Sequence, residues 1–191
     1  MTPQKSGSLP PLTVRLTSAP SPMIRRTVFH PGPIAPRRFT AHIADTADYF
    51  RLWLAPGKVL FDAILEVFTG RGLDHATVHL YDGDLAKAAY MVAPPDPSGE
   101  VVVAYSDPRV LPGSARLVTA NADLGRKANG QAIVHCHGAL RDAQGRLHGG
   151  HIPTDLCVIG DGGVRGWAVV SHDGGFVVRN DEETRFPVLS P

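Results

Sequence analysis

Residues 135–151 read HCHGALRDAQGRLHGGH and hold four of the nine histidines of the 191-residue chain. The run that enters this stretch, QAIVHCH at 131–137, predicts a β-strand. Side chains alternate across a strand, so His135 and His137 share a face with Ile133, while Val134 and Cys136 point the other way. Two imidazoles spaced two residues apart stand roughly 6–7 Å from each other and can converge on one ion. Gly138, Gly145, Gly149 and Gly150, with charged residues between them, suit a loop or tight hairpin that returns the chain beside its start. His151 arrives on that return, just after a Gly-Gly pair that permits close backbone approach. Three neutral imidazoles plus a water make an open, catalytic-type zinc site, whereas structural zinc is closed by four protein ligands with cysteine prominent. The same residues also describe a polar hairpin with no metal, and both readings stand at this point. Cys136 reads as a small apolar core residue, and His148 as a solvent-facing loop residue.

Outward from this window, most of the chain reads as short strands. DYFRLWL at 48–54 is strand-like and closed by Ala55-Pro56-Gly57. In VLFDAILEVF at 59–68, Leu60, Ala63, Ile64, Val67 and Phe68 recur at three- and four-residue spacing, and Gly70 and Gly72 follow as stops; this predicts the one helix. Further strands are predicted at 75–81, 86–92, 100–105, 115–120, 155–159, 166–170 and 176–179. Asp-Gly pairs at 82–83, 161–162 and 173–174 predict turns, the last, HDGG, a hairpin. Pro94, Pro95 and Pro97 predict a surface loop. The expected fold class is α+β, a mainly antiparallel sheet packed by one long helix.

At 43% hydrophobic and 19% charged, the chain can bury one sizeable core. Its net charge of +1 is unevenly spread. The first forty residues carry Lys5, Arg15, Arg25, Arg26, Arg37 and Arg38 and no acid, which leaves 13 basic against 18 acidic side chains in the remainder. Eight of the seventeen prolines precede residue 37, which opposes regular helix or central strand there. The expected organisation is therefore a basic, Pro-rich extended arm at 1–36 and a folded domain at 37–191. The arm would either tether an acidic partner, nucleic acid included, or lie on the acidic body of its own or a neighbouring subunit. Cys136 and Cys157 fit reduced, buried thiols of a cytoplasmic protein, a disulfide between them being the alternative. No apolar run approaches the roughly 20 residues of a membrane span, and none suits a signal peptide.

His-x-His, a loop containing Asp-x-x-Gly-Arg, and Gly-Gly-His together resemble the signature of the plant-and-prokaryote-conserved (PPC) domain, whose bacterial members are often labelled predicted DNA-binding proteins. LWLAPGKVLFDAILEVFTGRGL at 52–73 is similar to that family's strand, Pro-Gly and helix, and RNDEETRFPVL at 179–189 to its closing segment, so the resemblance spans about 38–189. It implies a homotrimer with zinc or another divalent transition metal at His135, His137 and His151. Plant members add Arg-Gly-Arg-Pro hooks for the minor groove of DNA; the nearest approach here, Ala35-Pro36-Arg37-Arg38, lacks the glycine. The general fold is also similar to that of acetolactate decarboxylase, which holds zinc with a comparable histidine set, so the resemblance extends to a metal-dependent lyase or hydrolase.

The sequence departs from the PPC pattern at several points. Ala115-Arg116 stands where a glutamate is common, Cys157-Val158-Ile159-Gly160 matches no acid, and Asp155 replaces a glycine. His79, in VHLYDG, lies where small residues are usual. Arg116 and His79 are therefore candidate substrate-binding residues, the alternatives being surface ion pairing and a hydrogen-bonded sheet histidine. The expected function is a metal-binding protein that acts on or senses a small anionic oxo or carboxylic acid. The second expectation is a DNA- or protein-binding regulator that carries a structural metal and contacts its partner through the arm.

Overall fold

Alternation of buried and exposed side chains runs through three strands of 12 to 14 residues, β2 (Ala76–Lys87), β5 (Ala115–Arg126) and β8 (Val158–Ser171), and these form the spine of the sheet. The computed structural model describes residues 28–36 and 43–191; most of the basic arm, and Arg37 and Arg38 at its boundary, lie outside the described residues. Around the spine stand β1 (Ala47–Leu54), β6 (Ala132–Asp142) and β7 (Leu147–His151), giving the antiparallel order β1-β8-β2-β5-β6-β7. A separate two-stranded ribbon joins β3 (Ala89–Tyr90) and β4 (Arg109–Val110), and β9 (Phe176–Asp181) pairs antiparallel with β10 (Phe186–Ser190). The helix, α1 (Leu60–Thr69), is ten residues, shorter than the long helix expected. Its stripe of Leu60, Ala63, Ile64 and Phe68 is buried with the inner faces of the strands, where Val78, Leu80, Leu117, Leu124 and Cys136 are almost fully covered. The architecture is α+β, as the pattern of elements indicates. Among the described residues no helix is long and apolar enough to cross a membrane.

Several turn and strand expectations are corrected. Val101–Tyr105 form no strand; only Val103 bridges to Pro95. The facing segment contains Pro94, Pro95 and Pro97, which offer carbonyls but no N–H groups, so a ladder cannot propagate. The Asp-Gly pairs at 82–83 and 161–162 are irregularities inside β2 and β8 rather than turns, with Asp82 at φ 52° and register shifts on either side of Gly83. The segment expected as a strand at 155–159 begins as a short 3-10 turn, Thr154–Leu156. HDGG does not make a hairpin, because β1 and β2 already occupy both edges of β8. The chain crosses over, and β9 pairs parallel with the end of β5 through Gly125↔Phe176 and Arg126↔Val177, beyond the point where β2 stops pairing at Leu124. Gly125 is required there, since a Cβ would lie 2.5 Å from the Phe176 carbonyl oxygen.

The described part of the arm lies against the domain. His30 Nδ1 is 2.7 Å from Glu183 Oε1, the Ala35 N–H donates to Glu183 Oε2 at 2.9 Å, and the Gly32 N–H donates to the Glu183 carbonyl at 2.8 Å. Glu183, in the β9–β10 turn, is buried by this contact.

Candidate metal centre

The histidines are positioned by a hairpin whose turn is tied by a single carboxylate. Asp142 closes β6, and its Oδ1 accepts from the backbone N–H groups of Gln144 (3.0 Å) and Arg146 (2.9 Å). Its Oδ2 accepts from Arg146 Nε (2.7 Å) and His148 Nε2 (2.9 Å). The Asp142 side chain is fully covered, and these donors, His148 first, hold its carboxyl far below the usual carboxylate range. Gly145 at φ 79° takes the left-handed position that the turn between β6 and β7 needs. His148 is therefore not a solvent-facing loop residue: it sits on β7, about one-fifth exposed, with its other ring nitrogen 3.3 Å from the Tyr90 hydroxyl.

This clamp sets the register that builds the site. His137 pairs directly with His151 across β6 and β7, and Gly138 with Gly150. On its other side His151 exchanges both backbone hydrogen bonds with Met91, at 2.8 and 3.0 Å, so its main chain is held from two directions. Gly150 permits that approach. At φ 145°, with a built Cβ only 2.2 Å from the Met91 carbonyl oxygen, no side chain fits. Gly150→Ala is expected to push β7 off Met91 and lower metal affinity at least about tenfold while far-UV circular dichroism stays near wild type. Metal content after dialysis and the spectrum of the same sample check this.

His135, His137 and His151 come together on the outer face of β6 and β7. One ring nitrogen from each lies within 4.8 Å of the others, and the ring centroids are 4.8, 5.1 and 5.4 Å apart. His135 and His151 are half-buried and His137 is exposed. Burial pushes the His151 imidazole down to about 4, helped by the neighbouring His135 and His137 and opposed by Asp155. His135 is lowered by burial and by His137, with Asp123 opposing. Both rings are thus neutral near pH 7, the state in which imidazole donates a lone pair to a metal. His151 Nδ1 is buried with no hydrogen-bond partner, an arrangement that costs free energy unless something occupies it. The donor set fits a divalent transition ion and leaves it short of a closed four-ligand shell. Cys136 takes no part: it is buried on the inner face, and burial pushes its thiol up to about 12. Cys136 and Cys157 are both free and buried.

The two candidate substrate residues lie elsewhere on the sheet. His79 shares a cross-strand row with the site, Trp167↔His79↔Asn121↔His137↔His151, two strands from His137 and so roughly 10 Å away. Its Nδ1 is 2.8 Å from Asn121 Oδ1, and its ring stacks on Trp167 at 5.3 Å. Arg116 pairs with Arg141 near the far end of β6, and its guanidinium makes ion pairs with Asp82 and Asp84. It is not brought to the histidines. Residues that are brought there, and that the strand pattern passed over, include Asp123, opposite His135 on β5, and Tyr105, whose ring lies 5.0 Å from His151. The expected strand ended at 120, short of Asp123, and Tyr105 lay in a run mistaken for a strand.

Asp142→Asn is expected to lower Tm at pH 7 by several degrees, since the clamp loses a charge shared by four donors. The depressed carboxyl stabilises the folded state above its unfolded value of 3.8, and that contribution is lost as pH falls through the lower folded value. The gap between variant and wild type therefore closes below about pH 3.8, which parallel melts across an acid series detect.

Neither a protein-family model nor a curated protein sequence matches the chain. Solved structures do. A metal-containing protein from Archaeoglobus fulgidus superposes at TM-score 0.61 with 15% identity over 81% of this chain and 100% of its own. A PPC protein from Pyrococcus horikoshii gives 0.58 and 16% over 78% and 94%, and a provisionally assigned DNA-binding protein from Ralstonia eutropha gives 0.57 and 17% over 74% and 90%. At such identities the common property is the backbone arrangement. The chain therefore has the PPC-type fold.

Proposed function

We propose that the protein holds zinc or another divalent transition metal at His135, His137 and His151 and uses the coordination positions they leave open to bind a small anionic oxo or carboxylic acid. The observation that carries this is a triad of imidazoles that each bring one ring nitrogen within 4.8 Å of the others, one of them, His151, with its Nδ1 buried and orphaned. A bound ion would supply Lewis acidity to an oxygen of the ligand, the chemistry of a metal-dependent lyase or hydrolase. A sensor would use the same contact without turnover. The chain's own residues supply position: Asp142 fixes the hairpin register, and the Met91–His151 backbone pair fixes the third ligand. The naming of the Archaeoglobus protein as metal-containing supports the reading. Elemental analysis of protein purified without chelators tests it, with about one metal per chain expected and less than about one-tenth overturning it. The proposal includes assembly as a homotrimer, read out by light scattering.

The second reading is a nucleic-acid-binding protein with a structural metal, favoured by the DNA-binding assignment of the Ralstonia protein and by the basic residues before position 40. A gel shift at two salt concentrations, with and without residues 1–36, separates the two. Tight binding that weakens with salt and disappears with the arm selects the second.

A further inference from the structure

Two clefts meet at His151, and they differ in chemistry. The larger, about 680 Å³, also takes in His135 and runs between the outer face of β6 and the β9–β10 hairpin. Its walls are Ile133, Val178, Phe186, Val188 and Leu189 together with the Tyr105 ring, which sits 5.9 Å from Phe186. Among the described residues that line it, Asp123 is the one ionisable group besides Tyr105 and the histidines, and it already accepts from Thr77 Oγ1 at 2.9 Å. Among the described residues no lysine or arginine lines this cleft. The smaller, about 340 Å³, contains Lys127, Gln131, Thr154 and Asp155. Lys127 is matched there by Asp155 in charge, and its Nζ donates to Gln131 Oε1 at 3.3 Å.

We infer that the larger cleft binds the body of the ligand, and that the ligand is a monocarboxylic acid or oxo acid with an uncharged, apolar side chain of branched-aliphatic or single-ring size. This rests on the metal reading above, because the acid head is anchored at His135, His137 and His151. A second carboxylate in the ligand would enter a cleft whose described lining offers apolar walls and the Asp123 charge and includes no lysine or arginine. An apolar body would be covered by Val178, Phe186, Val188 and Leu189, side chains that line this cleft and of which Val188 is exposed and the others only partly buried. Specificity then comes from the hairpin and turnover or signalling from the histidines. These are separate parts of the chain, and they can be tested separately.

Calorimetric titration of the zinc-loaded full chain with three acids that share one head provides the test: pyruvate, ketoisocaproate and ketoglutarate. Ketoisocaproate is expected to bind roughly tenfold or more tightly than pyruvate, from the added buried methylenes, and ketoglutarate no more tightly than pyruvate. Val188→Asp, at a position 37% exposed, is expected to erase the ketoisocaproate advantage while metal content stays at the wild-type level. Val188→Ala, which leaves the strand intact, should reduce the advantage severalfold. Equal affinities for the three acids, tightest binding of ketoglutarate, or an advantage that survives both variants would overturn the inference with the metal reading intact. Protein that takes up no metal is recognised before any acid is added, and that result overturns both.

Discussion

Replacing His137 by alanine is expected to remove metal binding while leaving the fold in place. His137 is the exposed member of the triad and stands on the outer face of β6, opposite the covered Cys136 and Val134, so its truncation opens no cavity in the core. Loss of a partner behind a metal ligand commonly costs ten- to a hundredfold in affinity, and loss of a ligand itself should exceed about a hundredfold. Two readouts follow. Zinc retained after dialysis should fall to background. Added zinc at about a hundred times its dissociation constant stabilises a binding protein by about 2.7 kcal/mol, so wild type should melt several degrees higher with zinc and the variant should not. A variant that keeps both its zinc and its thermal shift would remove His137 from the site.

Phe68→Ala carries the largest expected effect on stability. Phe68 is fully buried at the last turn of α1, edge-on to Phe50 at 6.3 Å, and belongs to the stripe that fastens this helix to the sheet. Truncation of a core phenylalanine typically costs about 3–5 kcal/mol, part from lost burial and part from the cavity left behind. Against a total stability of about 5–15 kcal/mol this is a large fraction. Urea denaturation followed by circular dichroism should show the midpoint falling with little change in slope. A cost below about 1 kcal/mol would mean that the helix is not seated on this core.

Much of the candidate site was legible because strand alternation is a strong constraint. The sequence QAIVHCH placed His135 and His137 on one face and Cys136 on the other, and β6 carries them so. Gly149 and Gly150 signalled a close approach before His151, and the Met91 carbonyl supplies the reason. The role of Asp142 was less accessible. The Asp-x-x-Gly-Arg motif could be matched as a pattern, but that its carboxylate collects four donors, His148 among them, depends on a turn geometry that letters do not display. Long-range pairing was the weakest point. HDGG has hairpin chemistry, yet the outcome was decided by β1 and β2 filling both edges of β8, a competition between distant strands. Asp-Gly inside β2 and β8 became a bulge for a related reason: strong alternation on both sides kept the strand going through a local turn signal. The apolar cleft beside His135 and His151 was hidden by the same long-range effect, since β9 and β10 reach it only after the crossover onto β5.

The most direct measurement is anomalous diffraction at the zinc absorption edge from crystals of the zinc-loaded protein. One peak per chain is expected, about 2.0–2.1 Å from a nitrogen of each of His135, His137 and His151, with at least one remaining coordination position held by water or a small acid. A strong peak elsewhere, or no peak with His151 Nδ1 hydrogen-bonded to protein instead, would contradict a metal centre at these residues.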